Sequence, residues 1–174
     1  MSLPIISTMR INDHHTGPSP PPPPLTIGVL SDTHGQLAPE VVDRIGGMDL
    51  VLHAGDIDRP EILQSLGKPD KVKAVRGNMD LGPWSQGLPH EEFVEVGNIL
   101  IYVIHDLHRI SIDPASADVR IVISGHTHRP AAVQQNGVLY LNPGSPSFPR
   151  DGHKPSMAQI EIVGDRFAYR HIHF

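Results

Sequence analysis

Leu25-Thr26-Ile27-Gly28-Val29-Leu30-Ser31-Asp32-Thr33-His34-Gly35 is an apolar run that stops abruptly in polar, turn-forming residues. Six residues of mostly β-branched and aliphatic side chains read as a buried strand, and Ser, Asp and Gly beyond it read as its end. The same rhythm continues down the chain. Leu37 to Ile45 reads as a helix, Asp49 to His53 as a strand, Pro60 to Leu66 as a helix and Lys71 to Val75 as a third strand. Strands alternating with helices in this way predict a parallel sheet. Farther on the pattern changes to hairpins. Glu92 to Val96 and Ile99 to Ile104 flank Gly97-Asn98, and Ala131 to Gln135 and Val138 to Leu141 flank Asn136-Gly137. Met157 to Val163 and Arg166 to His173 flank Gly164-Asp165, with Val119 to Ser124 as a further buried strand. Such two-residue loops suit tight hairpins. An α/β half followed by a strand-rich half predicts two mixed β-sheets packed together, with helices outside.

Upstream of Leu25 the composition is different. Residues 1–24 carry His14, His15 and five consecutive prolines from Pro20 to Pro24, and are expected to be a disordered Pro-rich tail. Residues 25–174 form the expected domain. The 174-residue chain has 39% hydrophobic content, enough for one sizeable core. No apolar run approaches the roughly 20 residues needed to span a bilayer, so no membrane partner is expected. No secretion signal is visible either, and a cytoplasmic location is the expectation. The absence of cysteine excludes disulfides, thiolate metal sites and cysteine nucleophiles. A net charge of −5 without a Lys/Arg block argues against duplex nucleic acid as a partner.

Twelve histidines are unusually many for 174 residues, and their placement gives them meaning. Five predicted strand ends each deliver a metal-capable side chain: Asp32 and His34, Asp56, Asn78, His105, and then His126 and His128. Each motif alone is a common turn. All of them together, in chain order and each at a strand end, are poorly explained by independent structural roles. In open α/β sheets, ligands bind outside the carboxyl ends of strands.

Asp32-x-His34, Gly55-Asp56, Gly77-Asn78, His105 and Gly125-His126-x-His128 together resemble the signature of calcineurin-like metallophosphoesterases, in particular the small prokaryotic phosphodiesterases. The resemblance runs from about Thr26 to Arg170. It implies a four-layer fold, two mixed sheets packed as a sandwich flanked by helices. It further implies one metal held by Asp32, His34, Asp56 and His128, and a second held by Asp56, Asn78, His105 and His126. The expected cofactors are therefore two divalent ions bridged by Asp56, Mn²⁺ first, with Fe, Zn²⁺, Ni²⁺ or Co²⁺ open. Sulfur-free imidazole and carboxylate donors suit these ions. The implied reaction is in-line attack on a small phosphate ester by a hydroxide held between the metals, with Asp56, Asn78, His105 and His126 as the catalytic set. Arg76 and Arg150 are candidate phosphate clamps. Asn142-Pro143-Gly144-Ser145 could bind substrate, through Asn142 and Gly144, or could equally be a structural turn.

Two positions depart from the pattern. Larger relatives carry a histidine after the metal-binding Asn, whereas this chain has Met79 followed by Asp80. A thioether has no proton to give, which favours diesters with good leaving groups unless His108 substitutes as acid. The segment Ile104-His105-Asp106-Leu107-His108 stands where relatives often read His-Gly-His, and Asp106 is an unexpected charge beside the second metal. His53 reads as a hydrogen-bonded core residue, His171 and His173 as a solvated strand edge, and His90 and His153 as loop residues. The competing reading is a non-catalytic scaffold of the same fold, as in the retromer-associated member of the superfamily. Relatives form dimers or tetramers, so a homo-oligomer is open, although no exposed apolar stripe specifies one.

Overall fold

The computed structural model describes residues 23–174. The proline-rich tail expected over residues 1–24 lies outside them except for Pro23 and Pro24.

Ten strands form two five-stranded sheets. The first has the order β10-β9-β1-β2-β3, with β1 at Leu25–Leu30, β2 at Leu50–His53, β3 at Val72–Ala74, β9 at Ser156–Val163 and β10 at Arg166–His173. The second has the order β4-β5-β6-β8-β7, with β4 at Glu91–Val96, β5 at Ile99–Ile104, β6 at Val119–Ile123, β7 at Pro130–Gln135 and β8 at Val138–Pro143. Both sheets are mixed. β1, β2 and β3 pair in parallel and β9 closes antiparallel on β1, while β5, β6 and β8 pair in parallel between antiparallel β4 and β7. The strands and both helices predicted from the sequence are present, with ends shifted by one or two residues.

The two sheets face each other across an apolar layer that includes Ile27, Val29, Leu52, Ile101, Val103, Ile121, Leu139 and Ile160, all at most 1% exposed. Each central strand is therefore buried on both faces, which is why β1, β5 and β6 read as continuous apolar runs instead of alternating ones. Helices α1 (Pro39–Ile45) and α2 (Pro60–Leu66) cover the outer face of the first sheet through Val41, Ile45, Ile62 and Leu66. Both begin with proline, whose fixed φ and missing N–H suit the first helical position. The outer face of the second sheet is covered differently. Tyr102, Ile104, Val119, Val122 and Val138 pack under Ile110 and Ile112, which follow a short 3₁₀ turn at Leu107–Arg109. The layer on that side is a loop, the link from β5 to β6, whose only regular element is that 3₁₀ turn.

The parallel strands bring five loops to one end of the sandwich. Leu30, His53, Ala74, Ile104 and Ile123 are the last residues of β1, β2, β3, β5 and β6, and their following loops converge there.

Candidate metal centre

The loops after β1 and β2 are bonded to each other by backbone. Asp32 N–H donates to Gly55 O at 3.0 Å, His34 N–H to Asp56 O at 3.0 Å and Gly35 N–H to Ile57 O at 2.8 Å. The loop after β6 joins through Gly125 N–H, which donates to His105 O at 2.9 Å, and through His126 N–H, which lies 3.1 Å from Asp32 Oδ2. Glycine is required where these loops touch. A Cβ on Gly77 would lie 2.1 Å from Asp56 Oδ1, and one on Gly125 would lie 1.8 Å from Ser31 Oγ. Asp32, His34, Asp56, His126 and His128 all have φ between 46° and 69°, the left-handed region that side chains other than glycine rarely enter. Each such residue costs on the order of 1–3 kcal/mol, and these turns persist because the surrounding bonds over-determine them.

All seven residues singled out from the sequence come together. His34 Nε2 stands 3.3 Å from His128 Nε2 and 3.9 Å from Asp56 Oδ2, and His128 Nε2 is 3.4 Å from Asp32 Oδ1. His105 Nε2 lies 3.4 Å from Asp56 Oδ2, and Asn78 Oδ1 lies 3.0 Å from both His105 Nε2 and His126 Nδ1. Two triads have donor atoms close enough to share one ion, Asp32 with His34 and His128, and Asp32 with Asp56 and His105.

The outer nitrogen of three rings decides what the inner one can do. His128 Nδ1 faces Phe148 O at 2.6 Å, His105 Nδ1 faces Ala54 O at 2.7 Å, and His34 Nδ1 faces Asp58 Oδ2 at 3.1 Å. A carbonyl or carboxylate only accepts, so each Nδ1 carries the hydrogen, and in the neutral form that a metal ligand takes each ring would turn a lone pair inward at Nε2. The facing lone pairs of His34 and His128, with two carboxylates beside them, form a set of acceptors that a cation satisfies. Outer partners that orient metal-ligating histidines in this way are a regular feature of metal sites. The residues present therefore fit divalent ions.

Charge follows the same geometry. Burial raises the Asp32 carboxyl, with His105 and His128 pulling the other way. Burial would also raise Asp56, but the hydrogen bond and charge of His105 outweigh it and the carboxyl is lowered. His105 is raised, burial being outweighed by Asp56.

Sequence reading missed two residues. Asp58 orients His34. Asp80, wholly buried, accepts backbone N–H groups from Asp56, Ile57, Asp58 and Gly77 at 2.8–3.0 Å and so ties the loop after β2 to the loop after β3. Its only sequence signal was a charge following Gly77-Asn78-Met79. Met79 contributes its amide, which donates to Asp56 Oδ1 at 2.8 Å, while its side chain is 49% exposed.

Other positions fall as follows. Arg76 donates from Nε to Asp80 O at 2.8 Å and lines a cavity with Asn78, His105 and His126. Arg150 is exposed, and no side-chain bond places it at the centre. Asn142 and Gly144 are bonded to each other, Gly144 N–H donating to Asn142 Oδ1 at 2.9 Å, and Asn142 Nδ2 donates to Gly125 O at 2.7 Å. That is the geometry of a structural turn supporting the His126 loop, and the Gly144 amide is not free for a substrate. His53 is a satisfied core residue, with Nε2 3.1 Å from Thr33 Oγ1 and Nδ1 accepting from Gly55 N–H at 3.2 Å. On edge strand β10 His173 is exposed, but His171 is half-buried and donates to Asn142 O at 2.8 Å. The solvated-edge expectation fails for His171 because the Asn142 turn packs against the strand end. His108 is bonded to Asp106 at 3.1 Å with its ring in solvent.

Comparison with known proteins agrees with this geometry. A probable metallophosphoesterase of Methanocaldococcus jannaschii is 40% identical over 139 residues, covering 72% of this chain and 70% of that protein. A phosphodiesterase of the same organism is 27% identical over 139 residues, 69% of this chain and 83% of its own. Among solved structures, zinc-complexed Vps29 from Entamoeba histolytica superposes with a TM-score of 0.65 at 26% identity, over 85% of this chain and 98% of its own. The model of the calcineurin-like phosphoesterase superfamily domain matches residues 25–165, a span that holds all seven donors, and the chain belongs to that superfamily.

Proposed function

We propose that the chain is a dinuclear metal-dependent phosphoesterase acting on small phosphate esters, with diesters preferred. The observation that carries this reading is the inward convergence of acceptors, His34 Nε2 facing His128 Nε2 at 3.3 Å while both outer nitrogens are already engaged. Asp32, His34, Asp56 and His128 would hold one ion, and Asp56, Asn78, His105 and His126 the other. When bound, the ions would supply Lewis-acid polarisation of the phosphoryl oxygens and a hydroxide nucleophile near neutral pH, for in-line attack on phosphorus. Mn²⁺ is the first choice for this donor set, with Fe, Zn²⁺, Ni²⁺ and Co²⁺ the alternatives.

The chain's own part is positioning. Asp58, Ala54 O and Phe148 O fix three imidazoles, and Asp80 holds the Asp56 loop in place. The preference for diesters is supported by Met79, which offers no proton to a departing alkoxide, and by the similarity to a phosphodiesterase. Similarity to Vps29 supports a second reading, a scaffold using the same fold.

The deciding experiment is hydrolysis of bis(p-nitrophenyl) phosphate after chelation and Mn²⁺ add-back, comparing wild type with Asp56→Asn. The expected result is activity that requires metal and falls at least about a hundredfold in the variant. Two metals bound per chain with no hydrolysis under any divalent ion would give the scaffold reading the better claim.

A further inference from the structure

The donor cluster is closed on one side and open on the other. Asp32, Asp56, His105 and His128 are at most 4% exposed, whereas Asn78 and His126 face solvent. A substrate therefore reaches the centre past Asn78 and His126. On that side lies a cavity of about 300 Å³ whose wall runs from Asn78, His105 and His126 out to Arg76, Arg109 and His90. That volume is at the lower end of small-molecule pockets, with room for an organic arm as well as a phosphate.

Both arginines of that wall are unspent. Among the described residues, neither Arg76 nor Arg109 is in an ion pair. Arg76 is anchored by its Nε bond to Asp80 O at 2.8 Å, which fixes the guanidinium and leaves its terminal nitrogens for a ligand. Arg109 closes the 3₁₀ turn that follows β5. The cavity also contains two carboxylates, and both have other partners. Glu91 accepts from the Tyr102 hydroxyl, and Asp106 accepts from the backbone N–H of His108 at 3.0 Å and pairs with its ring at 3.1 Å. A carboxylate ligand fills one guanidinium fork, whereas a phosphate has enough oxygens to serve two.

From this we infer that the substrate carries a second phosphate, on the ester arm that extends past Asn78, bound by Arg76 and Arg109 with His90 at the rim. The inference rests on the phosphoesterase reading above and narrows its substrate class to phosphate esters whose alcohol arm bears another phosphate.

Calorimetric titration of the Mn²⁺-loaded chain with propyl phosphate and with the bisphosphates of 1,3-propanediol, 1,4-butanediol and 1,5-pentanediol tests it. At least one bisphosphate should bind about tenfold or more tightly than propyl phosphate, from charge-assisted bonds to the second phosphate. Arg109→Gln, a change at an exposed position, should reduce that advantage to about twofold or less. No bisphosphate binding more tightly than propyl phosphate, or an advantage that survives Arg109→Gln, overturns the inference. Bis(p-nitrophenyl) phosphate hydrolysis on the same samples separates the two claims. Hydrolysis without bisphosphate preference removes only the second-phosphate site. An Arg109-dependent preference without hydrolysis supports the anion site and counts against the esterase reading alone.

Discussion

His53 ends β2 and His105 directly follows β5, and the two are driven in opposite directions. Burial pushes His53 down to about 3, because its ring is sealed between Thr33 and Gly55 with no carboxylate bonded to it. An unfolded histidine takes a proton near 6.5, so below that pH protons favour the unfolded chain. The contribution of His53 is complete above 6.5 and is lost as pH falls toward 3. Between pH 7 and pH 5 the folded state should lose roughly 2 kcal/mol through this residue, and His53→Gln should flatten that part of the profile. Urea unfolding at the two pH values checks it, and equal losses in both proteins would refute the assignment. The ligand residues were legible in the sequence because each lies in the short polar turn that closes an apolar run. Asp58 was not, since nothing local says that its carboxylate will meet the ring of His34.

At the scale of elements, the loops are organised more strictly than the strands. The strands follow from apolar runs and turn residues, and the sequence predicts them to within a residue or two. The loop architecture depends on Asp80, a single carboxylate serving four amides from two segments. Such a convergence arises only in three dimensions, which is why the sequence shows Asp80 merely as a charge after Met79. Replacing it by Asn keeps the shape but puts an NH₂ group against backbone donors. Asp80→Asn should therefore cost about 3 kcal/mol or more in urea unfolding, and it should weaken Mn²⁺ binding in the same protein. A stable variant with native metal affinity would show that the loops hold themselves.

Over the whole molecule, the sandwich and the metal centre are one thermodynamic unit. The sheets supply the apolar layer, while the centre gathers facing acceptors that are unfavourable without a cation. Binding that is confined to the folded state adds RT ln(1 + [L]/Kd), about 4 kcal/mol at a thousandfold excess over Kd. For a domain of this size that is on the order of 10 °C in Tm. Chelation should lower Tm by that amount and Mn²⁺ should restore it, as read by scanning calorimetry. No shift would mean that the donors are held apart from any bound ion. The sandwich was visible from the sequence, but the uneven covering of its two outer faces was not. Helices over one sheet and a loop over the other depend on how Ile110 and Ile112 of the β5–β6 link pack over Tyr102 and Val122.

The left-handed backbone at Asp32 and Asp56 also governs which substitutions teach anything. Asparagine enters that conformation at least as readily as aspartate, whereas alanine pays its full steric penalty. Asn variants at these positions remove charge and leave the turn intact, so a lost activity reports on chemistry. Ala variants change chemistry and chain geometry together, and an inactive one cannot say which was needed.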